Sequence, residues 1–245
     1  MKAKITYLDN SGFAVELPDH FFVFDYMNNS ALPGKKGLCG GVIDEGALKG
    51  KNVFVFVSHI HADHYNRSIF KWGGMAERIH YILSHDIQPV PNAIMAEPGK
   101  SYEVEDVRVG VLRSTDEGVA FVVKAEGHTV YHAGDLNWWH WEGEDPKWNE
   151  DMAAAYKKQI NKLKDITLDI AFVPVDPRLQ GSLLLGLDYL MNTARVKHAI
   201  PMHYGSRGDV VARAIGFSSL KGRKYKKLVQ PPMKRGESVD VNLSV

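Results

Sequence analysis

The chain has 245 residues, 30 basic and 29 acidic side chains for a formal net charge of +1, and 44% hydrophobic residues. Length and composition predict one globular domain over 1–245 and exclude disorder as its main state. A charge so near zero argues against a nucleic-acid-binding surface, and a lone cysteine, Cys39, excludes both an intramolecular disulfide and a cysteine zinc cluster. No run of about 18 apolar residues marks a membrane span, and the first residues carry no signal-peptide pattern. The expectation is a cytoplasmic protein with no membrane association.

Apolar runs at 5–8, 13–17 and 21–26, broken by Asn10-Ser11-Gly12 and Pro18-Asp19, predict three strands joined by tight turns. Residues 27–41 have loop composition and exceed the length of a mere connector. The continuous run Val53-Phe54-Val55-Phe56-Val57 predicts a strand buried on both faces. Strands are expected next over 107–112, 119–124 and 129–132, then a helix over 149–164 with Met152, Tyr156, Ile160 and Leu163 on one face. A buried strand over 169–175, a helix over 183–194 and a strand over 199–203 complete the pattern. Helices alternating with apolar strands indicate a layered α/β fold. The basic run 221–227, interrupted by Tyr225, reads as a solvated connection rather than a nucleic-acid contact.

The run His59-Ile60-His61-Ala62-Asp63-His64 begins where the 53–57 strand ends. An extended segment throws His59 and His61 to one side, so two imidazoles can converge on one cation. A turn after Ala62 would carry Asp63 and His64 towards a second. Asp135, in His132-Ala133-Gly134-Asp135, and His203, in Pro201-Met202-His203, end two further apolar strands. Imidazole nitrogen with carboxylate oxygen suits zinc, manganese, iron or nickel. Two such ions about 3.5–4 Å apart can make a hydroxide nucleophile at neutral pH and hold a leaving oxygen. In this reading Asp63, His64 and Asp135 are the catalytic residues, with Asp135 bridging the ions.

In order and spacing, His59, His61, Asp63, His64, Asp135 and His203 resemble the ligand set of the metallo-β-lactamase superfamily, and the match spans most of the chain. The opening residues 5–13, followed by Phe24-Asp25, resemble its branch containing L-ascorbate-6-phosphate lactonase. The resemblance implies an α/β four-layer αββα sandwich and one or two divalent metal ions at the sheet ends, zinc first among them. It also implies Asp25 as a buried carboxylate behind the ligands. The chain departs from the family in one place. Where a further histidine is usual, it reads Arg113-Ser114-Thr115-Asp116-Glu117-Gly118. Asp116 is the expected replacement metal ligand; the alternatives are a site with only His59, His61 and Asp135, or His140 reaching in from the following loop.

Trp138, Trp139 and His140 follow Asp135 closely and are candidate substrate contacts, set against plain packing of the indoles. Arg178, after Asp176-Pro177, can clamp a carboxylate or phosphate, and is equally suited to a surface ion pair. Tyr204 and Arg207, beside His203, are candidates to polarise a substrate oxygen. The expected function is metal-dependent hydrolysis of an ester, lactone, amide or phosphodiester bond in a small polar metabolite. A phosphodiesterase or nuclease of the same superfamily is the alternative, although nuclease branches usually carry an extra recognition domain. The resemblance also includes di-iron redox members, which depend on an appended flavin domain. The missing histidine keeps open a degenerate metal-binding protein without turnover, and the partner expectation is a small-molecule substrate with a homo-oligomer left open.

Overall fold

A computed structural model describes residues 1–216 and 225–243. The strands in chain order are β1 (Lys2–Asp9), β2 (Gly12–Glu16), β3 (His20–Phe24), β4 (Asn52–Val57), β5 (Arg78–Ser84), β6 (Ala93–Ala96), β7 (Ser101–Val104), β8 (Val107–Arg113), β9 (Val119–Ala125), β10 (His128–His132), β11 (Thr167–Pro174), β12 (Arg195–Met202) and β13 (Ser238–Asn242). The helices are α1 (Glu45–Leu48), α2 (Pro146–Ile160), α3 (Leu185–Thr193) and α4 (Gly208–Gly216). Among the described residues the strands form two sheets, ordered β13-β1-β2-β3-β4-β5-β6 and β12-β11-β10-β9-β8-β7.

Strand periodicity decides which side chain enters which layer. In β3 and β4, Phe22, Phe24, Phe54 and Phe56 face the cluster shared by the two sheets, while Phe21, Val23, Val53, Val55 and Val57 face an outer cluster. Both faces are covered, which is why the 53–57 run is apolar throughout. The outer cluster is closed by Ala47 and Leu48 of α1 and by Ile69 and Trp72 of a 3-10 turn over Arg67–Trp72. This outer layer is thinner than an αββα sandwich implies, since α1 has only 4 residues. The second sheet is covered more conventionally by α3, which packs on β11 and β12 and against α2.

The helix expected over 149–164 starts earlier, because the Asp145 carboxylate accepts from the N–H groups of Lys147 and Trp148 and Pro146 opens the first turn. It ends at Ile160 and continues as a 3-10 turn over Asn161–Leu163. β5 and β6 were not legible in the sequence: β5 is only partly buried along its first half, and β6 has 4 residues. Residues 221–224 of the basic run lie outside the described residues; of the rest, Tyr225 is buried and Lys226 and Lys227 are exposed.

β3, β4, β5 and β6 run parallel, as do β10, β11 and β12. Parallel neighbours bring their carboxyl ends to one edge, where ligands of α/β sheets commonly bind. That edge carries Asp25 after β3, His59 after β4, Asp135 after β10, Asp176 after β11 and His203 after β12.

Candidate metal centre

The two sheets meet at this edge through Ser58. The Val119 N–H donates to the Ser58 carbonyl at 2.9 Å, and a Cβ at Gly118 or Gly134 would fall 2.0 or 2.6 Å from Ser58 atoms. Both glycines also have positive φ, 70° and 52°, so the approach depends on the missing side chain. After β4 the expected turn is present, the His64 N–H donating to the His61 carbonyl at 3.0 Å.

The donors converge without touching. His64 Nε2 lies 3.3 Å from Asp135 Oδ1 and 3.6 Å from Asp63 Oδ2, His203 Nε2 lies 3.4 Å from Asp135 Oδ1, and His59 Nε2 lies 3.6 Å from Asp135 Oδ2. His59 Nε2, His64 Nε2 and Asp135 Oδ1 are buried with no hydrogen-bond partner. Buried polar atoms are rarely left so, because each forgoes its hydration. Bonds of about 2.0–2.1 Å to a tetrahedral cation separate its ligands by about 3.4 Å, so these spacings suit atoms that share an ion rather than a hydrogen bond. Two overlapping groups are candidate cation sites, His59 with His64 and Asp135, and Asp63 with His64 and His203; His64 Nε2 is common to both and can serve one ion at a time.

Each imidazole has one nitrogen tied, leaving the other for a cation. His64 Nδ1 is 2.7 Å from Asp25 Oδ2, His203 Nδ1 is 3.0 Å from Asp176 Oδ2, and His59 Nδ1 is 3.0 Å from Ser58 Oγ. Such partners fix the ring orientation of metal-binding histidines. Asp25 is fully buried and also accepts from the Ser58 N–H and hydroxyl. Burial raises its carboxyl, but the facing His132 and His64 outweigh that and hold it at about 2. Burial likewise opposes charge on His64, yet Asp135 and Asp25 push its ring up to about 9. Asp176, accepting from His203 and Arg178, is held at about 2 against its burial. Without a metal, a proton on His64 balances the Asp25 and Asp135 carboxylates that face it; a divalent cation would take that place. Asn10, Asp25 and His203 all have positive φ, 44°, 42° and 61°. Strain of this kind persists where the surroundings over-determine a site.

His61 and Asp116 join neither converged group. The rings of His59 and His61 are 4.7 Å apart, but His61 is 47% exposed and its Nε2 lies 3.2 Å from Glu117 Oε2. Asp116 sits on the exposed rim, in a loop turned by Gly118, with its N–H donating to Ser114 Oγ. Partial burial and the Asp135 charge raise its carboxyl, while His59 and His61 act to lower it, so it lies within electrostatic reach of both rings. Thr115 is occupied elsewhere, its hydroxyl donating to the Asn137 carbonyl at 2.6 Å.

Several substrate candidates have other employment. Trp138 packs away from the donors against Tyr156 and Tyr189, with Lys157 Nζ 4.3 Å from its ring centroid. Trp139 is buried, donates from Nε1 to the Asp135 carbonyl at 3.0 Å and stands edge-on to His203. Tyr204 is buried, and its hydroxyl donates to the Met233 carbonyl and accepts from the Met233 N–H, which leaves nothing to polarise a substrate. Arg178 grips Asp176 Oδ2 through Nε and a terminal nitrogen at 2.8 and 2.6 Å. His140 lines a groove with Trp138 and Trp141, apart from the converged donors. Arg207 lines a cleft that includes Asp63 and His203. Sequence reasoning missed Asn10, which donates to Asp63 Oδ2 at 3.1 Å, and also Ser58, Glu117 and the role of Asp176. For Asp176 the signal was its place at the end of an apolar strand, the same place that singled out Asp135 and His203.

No family model matches the sequence. The chain is 24% identical over 255 residues to the UPF0173 metal-dependent hydrolase of Pyrococcus furiosus, covering 97% of this chain and 99% of that one. Its structure resembles Igni18, a metallo hydrolase from Ignicoccus hospitalis, with a TM-score of 0.68 at 18% identity over 100% of both chains. It also resembles the metallo-β-lactamase fold protein YhfI from Bacillus subtilis, with a TM-score of 0.60 at 14% identity over 98% of this chain and 100% of that one. The chain therefore has the metallo-β-lactamase fold and is similar, over nearly its whole length, to a protein named as a metal-dependent hydrolase.

Proposed function

We propose that the chain is a metal-dependent hydrolase that uses two divalent cations, held by His59, His61, Asp63, His64, Asp116, Asp135 and His203, on a small polar metabolite. The observation that carries this reading is the convergence of three buried, unpartnered atoms, His59 Nε2, His64 Nε2 and Asp135 Oδ1, at one sheet edge. The donor chemistry fits: Asp25, Asp63, Asp116 and Asp135 gather negative charge that two divalent ions would balance. Such ions supply Lewis acidity and a water made nucleophilic at neutral pH. The chain's own residues do the positioning. Asp25 and Asp176 aim His64 and His203, Trp139 holds the backbone behind Asp135, and Asn10 restrains Asp63. An ester, lactone, amide or phosphodiester bond would meet this donor edge in the cleft beside Asp63. The apolar cluster shared by both sheets supports a single domain over 1–245, and an exposed free Cys39 supports a reducing, cytoplasmic setting.

Counting metals on protein purified without added metal tests the reading. Zinc, manganese or nickel near two per chain, with turnover on an ester or phosphodiester panel, is the expected result. Iron with visible absorbance would replace hydrolysis by redox chemistry. Substoichiometric metal without turnover would leave a binding scaffold.

A further inference from the structure

Next to His203 a cleft of about 280 Å³ is lined by Asn10, Asp63, Arg178, His203, Ser206 and Arg207, among others. We infer that this cleft is an anion subsite, which receives a carboxylate or phosphate group of the substrate beside the donor edge. The inference rests on the hydrolase reading and narrows its substrate to a small anionic molecule.

The two arginines differ in a way that suits the task. Arg178 is fixed: Nε and one terminal nitrogen hold Asp176, and its guanidinium lies 5.7 Å from the Trp141 ring centroid. With 60% of that side chain exposed, an edge of donors is still offered to the solvent side in a set position. Arg207 is the uncommitted partner. It is exposed, and among the described residues no carboxylate lies within ion-pair distance of it. Its backbone is anchored, since its N–H donates to the Tyr204 carbonyl at 2.9 Å and the Tyr204 hydroxyl is bound to Met233 on both counts.

The acids of the cleft are already engaged. Asp176 is shared by His203 and Arg178, while Asp63 accepts from Asn10 and faces His64 and His203. Asp176 is neutralised by Arg178 and Asp63 would give its charge to a bound cation, so Arg207 is the charge left over, and guanidinium forks match the two oxygens of a carboxylate or phosphate. The volume lies just below the usual range for drug-sized ligands, which suits one charged group of a metabolite rather than a polymer.

Calorimetric titration of the metal-loaded protein with methyl phosphate, and separately with acetate, tests the assignment on wild type, Arg207→Gln and Arg207→Lys, with metal content counted in each. Loss of a charge-assisted contact in Arg207→Gln should weaken the preferred anion about 10-fold or more, and Arg207→Lys should recover part of it. Stronger binding of methyl phosphate assigns a phosphate group, and stronger binding of acetate assigns a carboxylate. Affinities within about twofold of wild type for both anions in Arg207→Gln would overturn the subsite, because the metals alone would then account for binding. Arg207-dependent binding in a protein that turns over no substrate leaves the subsite standing and removes the hydrolase reading. Turnover with no dependence on Arg207 does the reverse.

Discussion

His64 and His203 are buried, and each has its Nδ1 on a carboxylate that is itself buried and hydrogen-bonded, Asp25 for one and Asp176 for the other. His61, whose carbonyl opens the turn to His64, is half-exposed, and among the described residues the carboxylate paired with its ring is Glu117, 53% exposed. If Asp116 completes the first half of the centre, both halves offer two imidazoles and two carboxylates and share Asp135. The difference then lies in what stands behind the donors. Partners inside the sheets hold the His64 and His203 side ready, while on the other side buried Ser58 backs His59 but His61 and Asp116 stand on the rim, where water can compete. The expectation is two ions of unequal affinity, the tighter one at His64 and His203.

Asp135→Asn attacks what the two halves have in common and carries the largest expected effect. Both ions should be lost, with metal affinity reduced more than about 100-fold, beyond the range for partners that only orient a ligand. Retention of two metals per chain by elemental analysis would show that Asp135 bridges nothing.

Asp25→Asn strikes the well-supported half directly and the other half only through Ser58. It should weaken the tighter ion about 10–100-fold. It should also cost about 1–3 kcal/mol of stability, because the Ser58 N–H and hydroxyl and His64 Nδ1 lose a charged acceptor. Metal titration with chelator competition, alongside denaturant unfolding, separates the two losses. If only the weaker ion is affected, the assignment of the halves is reversed.

His61→Ala and Asp116→Asn probe the exposed half, and each should release only the weaker ion while the fold persists. His140→Ala is the contrast. Should His140→Ala lose an ion and Asp116→Asn keep both, Asp116 is a bystander. Glu117→Gln should weaken the same ion by less than Asp25→Asn weakens the other, since an exposed partner holds a ring less firmly.

The smallest effect lies at the opposite edge, where it sharpens the comparison by leaving the metals alone. His20 Nδ1 is 2.8 Å from Glu126 and its Nε2 is 3.0 Å from Asp106, which ties β3 to two turns of the other sheet. Burial lowers its pKa, but the two carboxylates outweigh that and raise it above the usual histidine value. Its stabilisation is therefore full below about pH 6.5, the unfolded value, and is lost as pH rises through the higher folded value. Wild type should exceed His20→Gln by about 1 kcal/mol in acid and by less in base, with metal content unchanged. A gap that widens with pH would contradict the pairing.

The order of the donors, His59 to His64, then Asp135, then His203, was legible in the sequence because each follows an apolar strand, and strands are written in local periodicity. The layered α/β arrangement was legible for the same reason, as alternating runs that bury one or both faces. The partners behind the donors were not. Asp25 meets Ser58 and His64, and Asp176 meets His203, only because parallel strands bring distant carboxyl ends to one edge. Likewise the fates of Trp138 and Tyr204 were decided by ring and hydrogen-bond partners from other elements, Tyr189 and Met233 among them. Local pattern determines where a strand ends and which residue stands there. Whether that residue faces a cation, a backbone carbonyl or another ring depends on packing between segments far apart in the chain, and only the tertiary structure settles it.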